Sequence, residues 1–148
     1  ILIDFGCKVD GYCSDITRTF LFGDDGKHAD FKKAYAAVLA AHELVKENLK
    51  AGMTGGDGDA IARNYLESKG YGKYFTHSLG HGIGLNIHEF PFVRKGGQDV
   101  LENGMVFSDE PGVYLAGEYG IRIEDTITLK GGSVVSFMHK ADRNLVIL

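Results

Sequence analysis

The sequence predicts one α+β domain, on three observations. Two strand-like runs, "ILIDFGCKV" and "YCSDITRTFLF", flank Asp10-Gly11, a dipeptide that favours a two-residue hairpin turn. Residues 30–50 carry an apolar stripe of helical period. Towards the C-terminus, short runs of alternating apolar and polar residues replace that period.

The chain has 148 residues, 44% apolar and 24% charged, enough for one core of its own. A formal net charge of −4 offers no basic patch for nucleic acid. No apolar run approaches the ~20 residues that cross a bilayer, so no membrane partner is expected. There is no signal-peptide pattern, which makes the cytoplasm the expected location. Two cysteines, Cys7 and Cys13, are not a disulfide framework. The chain opens directly on the strand-like "ILIDFG", and we expect a piece cut from a longer protein.

The first element is the hairpin. With Asp10 and Gly11 as its turn, each opposed pair of positions sums to 21. Val9 then faces Tyr12, Asp4 faces Thr17 and Gly6 faces Asp15, so Asp4 and Asp15 are diagonal neighbours on one face. The same register puts Cys7 and Cys13 on opposite faces, against a disulfide between them.

Two helices follow. Phe31, Tyr35, Val38, His42, Val45 and Leu49 recur at spacings of four and three, which predicts a helix over 30–50 closed by Gly52. His42, on that stripe, reads as a packed residue rather than a functional one, and His28 and His139 as loop or surface residues. "DGDAIARNYLES" predicts a second helix over 57–68, with Asp57 or Asp59 as N-cap and Gly70 as stop.

The rest reads as β. "GIGLNIHEF" alternates, with Ile83, Leu85 and Ile87 on one face and Asn86 and His88 on the other. "GMVFSDEPGVYL" predicts a strand ending at a Pro111-Gly112 turn. "GIRIEDTITL" turns Ile121, Ile123, Ile127 and Leu129 to the core, leaving Arg122, Glu124, Thr126 and Thr128 on a polar face. "SVVSF" and "LVIL" are short closing strands.

Chemistry concentrates on the polar faces and ends of these strands. Asp4, Asp15, Glu110, Glu124 and His81 or a neighbouring histidine stand there. Carboxylates among apolar residues are costly unless paired or neutralised. Two aspartates on one hairpin face repel, raising one pKa, unless a cation sits between them. One or two divalent metals answer that need, and a carboxylate-rich set with one histidine suits Mn²⁺, Co²⁺ or Zn²⁺. In "HSLGHGIGLNIHE", glycines at 80, 82 and 84 forbid a stable helix, so His77 and His81 belong to a tight loop rather than a helical pair.

The ordered segments "IDFG…GYCSDITRTF", "HSLGHGIGLNIHE", "LENGMVFSDEPGVY" and "GIRIEDT" resemble the pita-bread metallopeptidases, most of all the Xaa-Pro branch of prolidase and aminopeptidase P. The resemblance covers nearly the whole chain. It implies a pita-bread (creatinase/aminopeptidase) fold, truncated at its N-terminal side, with a curved, mostly antiparallel sheet and covering helices. Residues 1–148 would be the partial C-terminal catalytic domain. Two divalent ions, manganese first with cobalt or zinc as alternatives, would be held by Asp4, Asp15, His81, Glu110 and Glu124. Asp15 and Glu124 would bridge them.

The implied reaction is hydrolysis of Xaa-Pro bonds by a bridging hydroxide on a dinuclear centre. Glu110 would shuttle the proton, His88 would contact the carbonyl and oxyanion, His77 would support the substrate, and Arg122 would orient carboxylates or the substrate end. The substrate would be a proline-containing dipeptide or short peptide, and the full-length protein a homodimer. The family's earlier helices, strand and N-terminal domain are missing, so weak or absent activity is expected of this piece. Asn103 stands where the family usually has proline, a change confined to a turn. The rival readings are a methionine aminopeptidase-like exopeptidase, a non-catalytic peptide- or protein-binding relative, and a metal-free hydrolase of the creatinase type.

Overall fold

The computed structural model describes residues 1–24 and 26–148. β1 (Leu2–Phe5) pairs antiparallel with β4 (Ile16–Thr19), and β2 (Lys8–Val9) with β3 (Tyr12–Cys13). The register is the predicted one, with Asp4 opposite Thr17 and Val9 opposite Tyr12. Asp10 and Gly11 have φ of 50° and 89°, the left-handed pair that a tight two-residue hairpin turn needs. At Gly6 a Cβ would lie 1.9 Å from the Ser14 carbonyl oxygen, so only glycine lets the two arms close there. Both cysteines are free thiols.

α1 (Ala29–Asn48) buries every member of the predicted stripe, from Phe31 to Val45, with Leu49 as its C-cap. α2 (Gly55–Ser68) begins two residues before the predicted start, and its N-cap is Thr54 rather than Asp57 or Asp59. The Asp57 N–H donates to the Thr54 hydroxyl at 3.1 Å while the Asp57 carboxylate accepts the Thr54 N–H at 2.8 Å. This reciprocal box satisfies the open helix end, and it places Asp57 inside the first turn. Asp59 is buried and does other work.

A 3₁₀ turn (Gly72–Tyr74) leads into the main sheet. Its strands are β5 (Gly80–Gly82), β6 (Glu89–Val93), β7 (Val106–Asp109), β10 (Asp125–Lys130) and β11 (Ser133–Ser136), in the order β11-β10-β7-β5-β6. All of its pairings are antiparallel. β8 (Gly112–Leu115) and β9 (Tyr119–Arg122) form a separate hairpin.

Four expectations are corrected here. "GIGLNIHEF" is not a strand: residues 83–88 form a loop between β5 and β6, and Leu85 and Ile87 are exposed while Ile83 is buried. The Glu89 carboxylate occupies the space beside Gly84, 2.2 Å from where a Cβ would stand, and accepts the Asn86 N–H at 3.0 Å. The loop therefore closes on its own side chain instead of pairing. Pro111-Gly112 is not a strand-ending turn, because the chain runs through Glu110 and Pro111 straight into β8. "GIRIEDTITL" divides at Ile123 and Glu124 into β9 and β10, although Ile121, Ile123, Ile127 and Leu129 are all buried as expected. "LVIL" contributes a single bridge, Ile147 beside Leu21. Asn103 accepts the Gly132 N–H at 2.9 Å and so ties two turns together.

α1 packs on α2 and on β8, β9 and β11, while α2 packs on β6. Val38, Val45 and Leu66 from the helices meet Phe107, Ile127 and Leu129 from the sheet in one core. Each such side chain contributes about 1.5–3 kcal/mol by leaving water. The opposite, polar side of β7, β9 and β10 is left for the hairpin, and there the charged residues gather.

Candidate metal centre

Backbone pairing docks the first hairpin onto the β9–β10 junction. The Glu124 N–H donates to the Thr17 carbonyl at 3.1 Å, and the Thr126 hydroxyl donates to the Asp15 carbonyl at 2.8 Å. Glu124 is thereby buried opposite Thr17, whose hydroxyl donates to Glu124 Oε2 at 2.5 Å. Arg122 Nε donates to that same hydroxyl at 3.0 Å, which fixes the direction in which it gives its own proton.

His81 stands in the middle of β5 rather than in the expected tight loop, and it too is buried. Its Nδ1 lies 3.1 Å from the Gly82 carbonyl. A proton placed there leaves the Nε2 lone pair facing the cavity, the arrangement a metal-ligating imidazole uses. His81 Nε2 stands 3.3 Å from Glu110 Oε1 and 3.8 Å from Asp15 Oδ2. Ser108 links the two strands, accepting the His81 N–H at 3.0 Å and donating to Glu110 Oε1 at 2.9 Å.

Asp15, His81 and Glu124 each offer one ligand atom within 4.8 Å of the others. Asp4 and Glu110 line the same open cavity of about 670 Å³, together with His88 and Arg122. Arg122 runs through the cluster. It donates to the Tyr114 hydroxyl at 2.9 Å and to the Asp4 carboxylate, and its Nε is 4.0 Å from Glu110 and 3.9 Å from Glu124.

One guanidinium does not balance four carboxylates. Burial, then the charge of Asp4, pushes Asp15 up to about 6. Burial pushes Glu110 up to about 7, and burial with the charge of Glu110 pushes Glu124 up to about 8. Burial also holds His81 below the ordinary histidine range, so it is neutral near pH 7 and able to ligate. Crowded acids that cannot all ionise, beside a neutral imidazole, form a donor set that a divalent cation would complete. These residues fit a metal.

A second depression of about 620 Å³ adjoins the first and shares His81, His88, Glu110 and Arg122 with it. His77 lines it, with Nε2 3.0 Å from the Tyr114 hydroxyl and Nδ1 2.7 Å from the Ser78 carbonyl. Burial holds His77 below its ordinary range as well. Its loop is held from α2. Arg63 donates to the Phe75 and His77 carbonyls at 2.9 and 2.8 Å, and buried Asp59 accepts from Arg63 and from the Leu79 N–H. His88 is exposed at the end of the 83–88 loop, not on a strand face, and its ring centroid lies 4.0 Å from that of His81.

The structure therefore brings Asp4, Asp15, His81, His88, Glu110, Arg122 and Glu124 into one cavity, with His77 in the adjoining one. Sequence reasoning missed Thr17, Ser108 and Tyr114. Thr17 had a signal, since the predicted register already set it opposite Asp4. Ser108 and Tyr114 had none, because their part depends on how separate strands meet.

The family model for Metallopeptidase family M24 matches residues 1–130. The chain is 44% identical to a Xaa-Pro dipeptidase of Pyrococcus horikoshii over 147 residues, which is 99% of this chain and 41% of that protein. The crystal structure of a Xaa-Pro dipeptidase from Bacillus anthracis superposes with a TM-score of 0.94 at 44% identity, over 99% of this chain and 41% of that one. An X-Pro aminopeptidase from Thermotoga maritima gives 0.92 at 39% identity, over 99% and 41%. The expected pita-bread fold is the fold these structures share with this chain. The chain spans about two fifths of the relatives' length.

Proposed function

The chain belongs to metallopeptidase family M24, and from that premise we propose that it is the metal-bearing catalytic part of a longer exopeptidase that cleaves Xaa-Pro bonds. The observation that carries this reading is the convergence of Asp15, His81 and Glu124 on one point, with Asp4 and Glu110 in the same cavity. Asp15, Glu124 and Asp4 would hold one divalent ion, and His81 and Glu110 would complete a second site that shares Asp15 and Glu124. Manganese suits four carboxylates and one imidazole, with cobalt and zinc as the alternatives. The metals, when bound, supply an activated water and a Lewis acid for the carbonyl.

The chain's own residues do the rest. Glu110, beside His81 in the cavity, can take a proton at Oε and return it to the leaving nitrogen. His88, exposed above His81, can donate to the carbonyl oxygen as it gains charge. Neutral His77, braced by Tyr114, can orient the substrate from the adjoining depression. Arg122 holds Asp4 and Thr17 in place and faces both glutamates. The substrate is a dipeptide or short peptide carrying proline in the second position. The homodimer and the cytoplasmic setting implied for the full-length protein belong to the same proposal.

The test is an assay of the full-length protein on a Xaa-Pro dipeptide and on a longer Xaa-Pro peptide, with Mn²⁺ and then with chelator. Cleavage that needs Mn²⁺ is expected. Chelator-resistant cleavage would sink the metal mechanism. Cleavage of the longer peptide alone would make the protein an aminopeptidase. Release of N-terminal methionine from peptides without proline would favour the methionine aminopeptidase-like alternative.

A further inference from the structure

Asp109 and Asp125 are directly opposed in the β7–β10 ladder, and both are wholly buried. Like charges opposed across strands destabilise a sheet, and buried ones more so. Asp125 is well served. It accepts from Arg18 at 2.8 Å, from Ser136 at 2.8 Å and from two nitrogens of Arg143. Asp109 is not: among the described residues no donor makes a hydrogen bond of good angle to either of its oxygens.

What faces Asp109 is His42, from the buried stripe of α1, with Nδ1 2.9 Å from Asp109 Oδ2 and Nε2 3.5 Å from Asp125 Oδ2. Neither ring nitrogen has a well-angled hydrogen bond, so His42 meets the two carboxylates by proximity. Burial pushes the Asp109 carboxyl up, and the charge of Asp125 adds to that, while the imidazole of His42 and the field of Lys46, one turn further along α1, act against it. Burial alone would pull His42 down, but the fields of Asp109 and Asp125 outweigh it and carry His42 up to about 9.

Asp109 is followed in the chain by Glu110, and Asp125 is preceded by Glu124. The strands are antiparallel, so both glutamates leave the ladder at the same end. We propose that His42 is a positioning residue for the metal centre: its imidazolium holds Asp109 and Asp125 together across the ladder and so sets the separation of Glu110 and Glu124. This rests on the reading of those two glutamates as metal ligands. A histidine packed only as a core residue would face apolar groups, not two opposed aspartates.

The test uses the full chain, with Mn²⁺ binding followed by electron paramagnetic resonance and Co²⁺ binding by its visible absorption. His42→Gln keeps the bulk and removes the charge. The double variant His42→Gln/Asp109→Asn removes the cation and one of the two charges it separates. Expected is a tenfold or greater loss of Mn²⁺ affinity in His42→Gln, with an altered Co²⁺ spectrum, and recovery to within about threefold of wild type in the double variant. A folded His42→Gln that binds like wild type overturns the proposal, and so does a folded double variant that binds weakly.

If His42→Gln fails to fold, the double variant decides alone. If neither folds, nitrogen-15 NMR of wild-type His42 at pH 7.5 decides. Two protonated ring nitrogens support the imidazolium, and a neutral ring overturns it. Wild type that takes up no Mn²⁺ instead refutes the ligand reading, while the NMR result still stands for His42.

Discussion

Thr17 and Glu124, 107 positions apart, share a 2.5 Å hydrogen bond whose direction Arg122 fixes from the other side of the hydroxyl. Partners that orient a ligand are worth roughly 10–100-fold in metal affinity. Thr17→Val should weaken Mn²⁺ binding by that order, measured by titration, while Thr17→Ser should stay close to wild type.

The ligand set makes a second prediction. Asp15→Ala and Glu124→Ala should each lower bound Mn²⁺ per chain, measured by elemental analysis after desalting, with folding retained by circular dichroism. Unchanged metal content in both would refute their assignment as bridging ligands.

A third prediction concerns pH. Glu110 and Glu124 are raised to about 7 and about 8, so the metal-free folded chain binds more protons there than the unfolded chain does. Stability must then fall as pH rises. From pH 6.5 to 8.5 the histidines held low, His77 and His81, are neutral in the folded chain, and their partial protonation in the unfolded chain near pH 6.5 offsets a small part of the fall, whereas His42, carried up to about 9, adds to it. Through these two glutamates the metal-free chain should lose on the order of 2 kcal/mol across that window, and through His42 a similar amount. Saturating Mn²⁺ should remove the share that comes from the glutamates, because the cation holds them ionised, and leave the share that comes from His42. Urea titrations at the two pH values, with and without Mn²⁺, measure it.

Arg63 supplies a fourth. It pairs with buried Asp59 and holds the carbonyls of Phe75 and His77. Arg63→Met leaves Asp59 buried without its cation and should cost about 3 kcal/mol in urea denaturation. Thr54→Ala, which breaks only the α2 capping box, should cost about 1 kcal/mol and leave Mn²⁺ binding unchanged.

Local rules make much of this legible. The Asp10-Gly11 turn sets the hairpin register, so the neighbouring placement of Asp4 and Asp15 follows from the order of residues alone. The period of α1 names its buried face correctly, His42 included. The 83–88 loop misleads because alternation is shared by strands and by loops that close on a side chain, and Glu89 acts six residues beyond Ile83. The N-cap of α2 misleads because Thr54 lies ahead of two glycines while two aspartates offer themselves inside. Ser108, Tyr114 and the charge role of His42 have no local signature, since each depends on where a distant strand arrives.

Arg122 reaches Asp4 across 118 positions, and Thr17 reaches Glu124 across 107. Contacts between such remote positions carry the largest loop-closure cost and close late. In a refolding experiment, helix signal should therefore recover before Mn²⁺ is taken up. Metal uptake is then a clock for the final closure of this chain, started only when its first strand has found its ninth and tenth.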